Sequence, residues 1–192
     1  MRCILHGGFK DMNTKQQAAA WQMFLQTFFL QASSDEILLL PWANSPKLWD
    51  RMASRFASRV AAVTGTRPHV EIATSGEDAQ KMLSQFTGVY MPGGIDFKNI
   101  MTQVQSVPDL HAQLEGKTIA GVSAGAYALS SLFYDSRKKA LAKGGGVLPV
   151  GVACHYSDKR APAKELFEAE KLPYYLLDEG MFVTLNSHGQ QI

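Results

Sequence analysis

The stretch Lys117-Thr118-Ile119-Ala120-Gly121-Val122-Ser123-Ala124-Gly125-Ala126 decides the fold. A short, nearly all-apolar run passes without a linker into small, helix-compatible residues. The run reads as a strand buried on both faces, and the switch after it as a strand-to-helix turn. The same alternation recurs outward from this stretch. Upstream, residues 3–5, 37–40, 70–73 and 89–91 read as strands. Residues 16–30, 48–63, 77–86 and 96–104 carry apolar side chains at helical spacing, as in Trp21, Phe24, Leu25, Phe28 and Phe29. Ser75 stands where an N-cap for the third of these helices belongs. Downstream, residues 124–132 read as a helix, 150–154 and 181–185 as strands, and 165–170 as a short helix. Apolar strands alternating with helices predict an α/β fold: a three-layer sandwich whose mostly parallel central sheet is flanked by helices on both faces.

Such sheets place their sites just beyond the carboxyl ends of the strands. Three glycine-bearing turns fall there, at Gly7-Gly8, at Gly93-Gly94 and around Ser123. They are therefore expected to meet in space.

The chain has 192 residues, which predicts one domain over 1–192. Hydrophobic residues make up 46% and charged residues 19%, the balance of a folded globular chain rather than a solvated tail. A net charge of +2 does not point to a nucleic-acid partner. No apolar run is long enough to span a bilayer, so no membrane partner is expected. Two cysteines, Cys3 and Cys154, are too few for a disulfide framework or a structural zinc site. The N-terminus shows no signal-peptide core, and a reducing, cytoplasmic setting is expected. No metal or cofactor is implied.

Chemistry concentrates at Ser123. A tight turn between strand and helix lifts a serine hydroxyl over the sheet edge, and small neighbours clear the space around it. The Ala124 amide points the same way and can face a developing oxyanion. The bland alternative is an N-capping serine. Of five histidines, His155 ends the apolar run 150–154 and so reaches the mouth of another strand, 32 residues past Ser123. His6 ends the first strand beside Gly7-Gly8, where it is expected to line the site. A third, acidic member would orient the imidazole. Asp135, Asp158, Asp178 and Glu179 all stand in loops near the right elements. Cys154, inside an apolar strand, reads as a buried structural thiol, because neighbouring strand residues face opposite ways.

These residues resemble the peptidase E and cyanophycinase family of serine peptidases, whose fold is similar to the class I glutamine amidotransferase domain and is flavodoxin-like. The resemblance rests on Val89-Tyr90-Met91-Pro92-Gly93-Gly94, Gly121-Val122-Ser123-Ala124-Gly125-Ala126, Leu148-Pro149 leading to Cys154-His155-Tyr156, and Leu177-Asp178-Glu179-Gly180. It implies Ser123 as nucleophile and His155 as general base. Asp135 falls near the family's acidic position, with Glu179 as the fallback. Gly93 or Gly94, with Ala124, matches the oxyanion-hole amides. Where the family has Asn and Thr after the glycine pair, this chain has Ile95 and Asp96.

The dipeptidase branch of that family releases an N-terminal aspartate from short peptides. The resemblance therefore implies a small peptide substrate and a cation to hold its carboxylate. Arg160, Lys159 and Arg137 are the candidates, and Asp96 would repel an acid or bind a free amino terminus. Two other readings compete: an α/β-hydrolase-type esterase or amidase using His188 as base, and a non-catalytic binding protein on the same fold. The apolar stretch 18–30 covers the sheet or forms a homodimer face, so either a monomer or a homodimer is expected.

Overall fold

A computed structural model describes residues 1–9, 14–157 and 162–192. Its main sheet has six strands in the order β10-β1-β5-β4-β2-β3. These are β1 (Arg2–His6), β2 (Glu36–Leu39), β3 (His69–Ile72), β4 (Gly88–Met91), β5 (Thr118–Val122) and β10 (Phe182–Asn186). All neighbours are parallel except β10, which runs antiparallel to β1.

Alternate residues of each strand feed two separate cores. Leu5, Leu38, Val89, Met91 and Ile119 pack on one face, with residues of α3 (Gly76–Met82), α4 (Phe97–Ser106) and α6 (Ala124–Leu129). Ile4, Leu39, Tyr90, Ala120 and Val122 pack on the other, against α1 (Lys15–Ala32) and α2 (Trp49–Thr64). Two covered faces are why these strands are apolar throughout. The buried stripe of α1, Phe24, Leu25 and Phe28, lies in that second core, so this helix covers the sheet. Thr14 and Gln17 close its N-terminus reciprocally, each side chain accepting from the other's amide. Ser75 caps α3 by accepting from the Asp78 amide.

The chain departs from the sequence-based expectation after α6. That helix ends at Leu129 instead of running to residue 132, and Ser130–Asp135 forms strand β6. A second, four-stranded sheet follows, in the order β7-β6-β8-β9, built from β6 with β7 (Ala140–Lys143), β8 (Leu148–Cys154) and β9 (Tyr174–Leu177). Leu132-Phe133-Tyr134 is apolar enough to continue a buried helix or to make a strand, and periodicity alone does not separate the two. Pairing with β7 and β8 decides for the strand. The four-residue α5 (Leu110–Gln113) and α7 (Pro162–Glu170) complete the fold, and Phe167 of α7 packs so closely on Gly151 of β8 that any Cβ there would meet its ring at 2.5 Å.

Register sets the site. His6 pairs with Val122 and Met91 with Gly121, so the residues that follow each strand emerge level at one edge. His188 stands at the opposite edge, because its neighbour Asn186 pairs with Arg2 at the start of β1. Among the described residues, no helix is long and apolar enough to cross a membrane.

Candidate active site

Ser123 occupies the turn between β5 and α6 at φ 51 and ψ −106. This is a conformation an L-residue adopts only under constraint. Its amide donates to the His6 carbonyl at 3.0 Å, which holds the turn shut. The hydroxyl makes no capping bond to α6, which sets aside the N-cap alternative. It lies 3.0 Å from His155 Nε2 instead. Gly121 and Gly125 are required here, since a Cβ on Gly121 would meet Gly125 at 2.7 Å and one on Gly125 would meet the Met91 carbonyl at 2.1 Å.

His155 follows β8 directly, also at positive φ, and leans over from the second sheet. Its amide donates to the Gly7 carbonyl at 2.9 Å. Its Nδ1 faces Glu179 Oε1 at 3.4 Å, both side chains being about one-quarter exposed. The Glu179 turn is tied in by two backbone bonds: Tyr156 N donates to Leu177 O at 3.0 Å and Gly180 N to Gly8 O at 3.0 Å. The carbonyls of His6, Gly7 and Gly8 thus receive, in order, the amides of Ser123, His155 and Gly180. One turn at the end of β1 fixes three segments that are far apart in sequence. Gly8 must lack a side chain: at φ +89 its Cβ would stand 2.5–2.6 Å from the His155 ring.

Asp135, the first acidic candidate, does not reach the imidazole. Its Oδ1 accepts from the amides of Arg137 and Lys138, capping the turn between β6 and β7. Spacing placed it at the end of an expected helix, but the chain runs there as a strand. Among the described acids, the fallback, Glu179, is brought to His155. Asp158 lies outside the described residues.

His6 also departs from expectation. Its ring turns away into an aromatic box of Phe9, Trp21, Phe24 and Phe182 and is fully buried. Gly8 N donates to its Nδ1 at 2.8 Å, which leaves the proton on Nε2. Burial foremost, and then the nearby His155, push its pKa down to about 3. It is a neutral structural histidine whose backbone serves the site. Cys154 is fully buried, with its sulfur 3.8 Å from the Ser123 carbonyl, and burial drives the Cys3 thiol well above its ordinary range. Tyr127 was not legible as a site residue. Its hydroxyl accepts from Cys154 N at 3.1 Å and so pins the strand end that carries His155.

The Gly93-Gly94 turn borders the hydroxyl from the other side. A Cβ on Gly93 would lie 3.3 Å from Ser123 Cβ, and one on Gly8 would lie 3.1 Å from it, so all three glycine-bearing turns converge. The turn is anchored by the Ala43 carbonyl, which accepts from Ile95 N and Asp96 N at 3.0 Å each. Asn44 Nδ2 also donates to Gly93 O at 2.8 Å. Among the described residues, the Gly94 and Ala124 amides donate to no backbone carbonyl. A cavity of about 860 Å³ opens in front of Ser123, Gly94 and His155, with Phe97, Lys98 and Arg137 on its wall. Arg137 lies over the Phe97 ring at 6.0 Å. Asp96 accepts from Asn99 N and caps α4, and Ile95 is left 85% exposed at the rim. Lys159 and Arg160 lie outside the described residues. Among those residues, no group of His, Cys, Asp or Glu is placed to hold a metal ion.

The model of peptidase family S51 matches residues 4–192. The chain belongs to that family. S51 members are serine-type peptidases, so this protein is a hydrolase of that type, similar to peptidase E and the cyanophycinases. Among solved structures, a peptidase from an acI-B1 actinobacterium superposes with a TM-score of 0.64 at 18% identity, covering 95% of this chain and 82% of its own. A protein from Listeria monocytogenes EGD-e assigned as a peptidase E gives 0.62 at 15% identity, covering 96% of this chain and 93% of its own. At these identities the likeness concerns the fold. No curated protein sequence matches this S51 chain significantly.

Proposed function

We propose that this S51 peptidase is an exopeptidase acting on short peptides through Ser123, His155 and Glu179. The observation that carries the reading is the 3.0 Å contact between Ser123 Oγ and His155 Nε2 in a strained turn. Ser123 Oγ attacks the scissile carbonyl while His155 Nε2 takes its proton. The carbonyl oxygen becomes an oxyanion facing the Gly94 and Ala124 amides. Collapse breaks the C–N bond, and His155 returns the proton to the leaving amine. Water then adds to the acyl-enzyme by the same route in reverse and releases the free acid and Ser123. Glu179, 3.4 Å from Nδ1, orients the imidazole and stabilises its charged form.

The substrate is a small peptide with an N-terminal aspartate. Arg137, Lys98 and Lys138 on the wall of the Ser123 cavity are the described cations able to meet its side-chain carboxylate. All the groups named come from a single chain.

Hydrolysis of aspartyl-p-nitroanilide, measured for the unaltered protein and for Ser123→Ala, tests this reading. Chromophore release by the unaltered protein alone is expected. A leucyl analogue cleaved as fast would remove the acidic preference, and equal release by Ser123→Ala would overturn the mechanism. Labelling of Ser123 by a fluorophosphonate tests the nucleophile without assuming a substrate.

A further inference from the structure

A second cavity, of about 410 Å³, lies beyond β2, β4 and β5. Phe9, Trp21, Phe56 and Tyr90 line it together with Arg55 and Arg59 of α2. Its wall includes Gly93 and Val122, the neighbours of the Gly94 and Ser123 that face the larger cavity. The two cavities thus adjoin the same pair of turns. Trp21, Phe56, Tyr90 and Val122 belong to the core on the α1 and α2 face, whereas Tyr127 and Phe97 of the larger cavity belong to the other. Ser123 stands between them at the sheet edge.

Among the described residues, the smaller cavity is cationic without a counter-charge. Arg55 and Arg59 are four residues apart on α2 and so share one helix face, a like-charged pairing that weakens a helix. Among the described residues neither makes an ion pair, and no Asp or Glu lines the cavity. Arg59 is half-buried, its guanidinium 5.8 Å from the Trp21 ring centre. Burial first, and then Arg55, lower its pKa against the opposing influence of Tyr90, and a guanidinium remains charged throughout. Trp21 Nε1 is buried with no acceptor among the described residues. Arg55 stays exposed, but a cation half removed from water without a partner, as Arg59 is, gains from an arriving anion. The rest of the wall is aromatic and aliphatic, so an occupant must also bring apolar surface. A short acidic side chain would leave that surface uncovered.

We propose that this cavity is a second substrate subsite, binding a carboxylate on an apolar stem: the C-terminal residue of a short peptide cleaved at Ser123. Arg55 and Arg59 hold the terminal carboxylate, and Trp21, Phe56 and Tyr90 cover the side chain. The inference rests on the Ser123 reading for the origin of the ligand but not for the existence of the site. It makes the protein selective for dipeptides with a free, apolar C-terminal residue.

Two measurements test it. Aspartyl-phenylalanine and its C-terminal amide are compared as substrates of the unaltered protein. KM for the free acid is expected to be roughly tenfold lower, the scale of one charge-assisted contact. Arg59→Gln and Arg55→Gln are expected to raise KM for the acid, leaving the amide and both kcat values unchanged. Equal KM values for acid and amide overturn the proposal. So does loss of aspartyl-over-leucyl preference in the arginine variants with acid and amide still distinguished, because the arginines would then serve the N-terminal side chain. Independently, calorimetry with 3-phenylpropionate and 3-phenylpropionamide reads the cavity without turnover. Binding of the acid alone, abolished in Arg59→Gln, upholds the subsite even if Ser123 hydrolyses nothing. Absence of acid binding in a protein that does cleave peptides at Ser123 sinks the subsite and leaves the peptidase reading standing.

Discussion

The turns Gly7-Gly8 and Gly93-Gly94 look alike in sequence, each a glycine pair at the end of a buried parallel strand, yet the fold uses them oppositely. At the first, the backbone presents carbonyls, and those of His6, Gly7 and Gly8 accept the amides of Ser123, His155 and Gly180. At the second, anchoring by Ala43 O and Asn44 Nδ2 leaves the Gly94 amide without a backbone carbonyl among the described residues. Under the proposed mechanism, one turn assembles the reacting side chains, and the other keeps a donor ready for charge that appears only during reaction. Glycine serves both because each turn is crowded by backbone or by the imidazole itself.

Gly8→Ala attacks the assembling turn and carries the largest expected effect. A methyl group at φ +89 displaces the His155 ring, and kcat is expected to fall roughly a hundredfold or more. Thermal denaturation shows whether the variant stays folded, and an active, folded Gly8→Ala would break the comparison. Gly94→Ala attacks the other turn, where its Cβ would stand 2.2 Å from the Ala43 carbonyl. The clash moves the turn and pulls the residue-94 amide off its aim, which is expected to cost about a hundredfold in kcat.

Glu179→Gln sharpens the comparison by changing only what faces His155 Nδ1. We expect roughly a tenfold fall in kcat, smaller than for a buried triad acid because Glu179 is partly exposed. Asp135→Asn, whose carboxylate caps its own turn, should leave kcat within a factor of about three, as surface substitutions away from the chemistry usually do. Reversed outcomes for these two variants would return the acid's role to Asp135.

A last effect, on stability rather than on rate, concerns His6. Its folded pKa, about 3, lies below the unfolded value, so the unfolded chain binds the extra proton. Its contribution is therefore complete above about pH 6.5 and declines as pH falls toward 3. The loss is up to about 1.4 kcal/mol per pH unit in that window. Urea denaturation at pH 7 and pH 4.5 should show this slope. It should be shallower in His6→Phe, which keeps the aromatic box filled.

How far the sequence could be read differs along the chain. Up to Ala126 the strand–helix rhythm was legible, because local periodicity carries it and both sheet faces are covered. Of the second sheet, only the run 150–154, inside β8, was legible as a strand. Its β6 pairs with β7 and β8, and the run 130–135 has no pattern that excludes a helix. That misreading also put Asp135 in the wrong surroundings.

Ser123 and His155 were legible as a pair because each directly follows an apolar strand, and strand ends collect at one edge of a parallel sheet. That the Glu179 turn would fold back against His155 was decided by two long-range backbone bonds, from Tyr156 to Leu177 and from Gly180 to Gly8. Arg55 and Arg59 gave no signal at all, since a charged pair on a helix reads as a solvated face. By itself the sequence determined the α/β class, the strand order of chemistry along the chain and the serine turn, all of which follow from near-neighbour patterns of size and polarity. Only the tertiary structure decided which acid meets the imidazole, where the His6 ring turns and which cations border the site. Those outcomes depend on contacts between separate elements of the fold, as where Gly8 meets Gly180, and no local pattern encodes them.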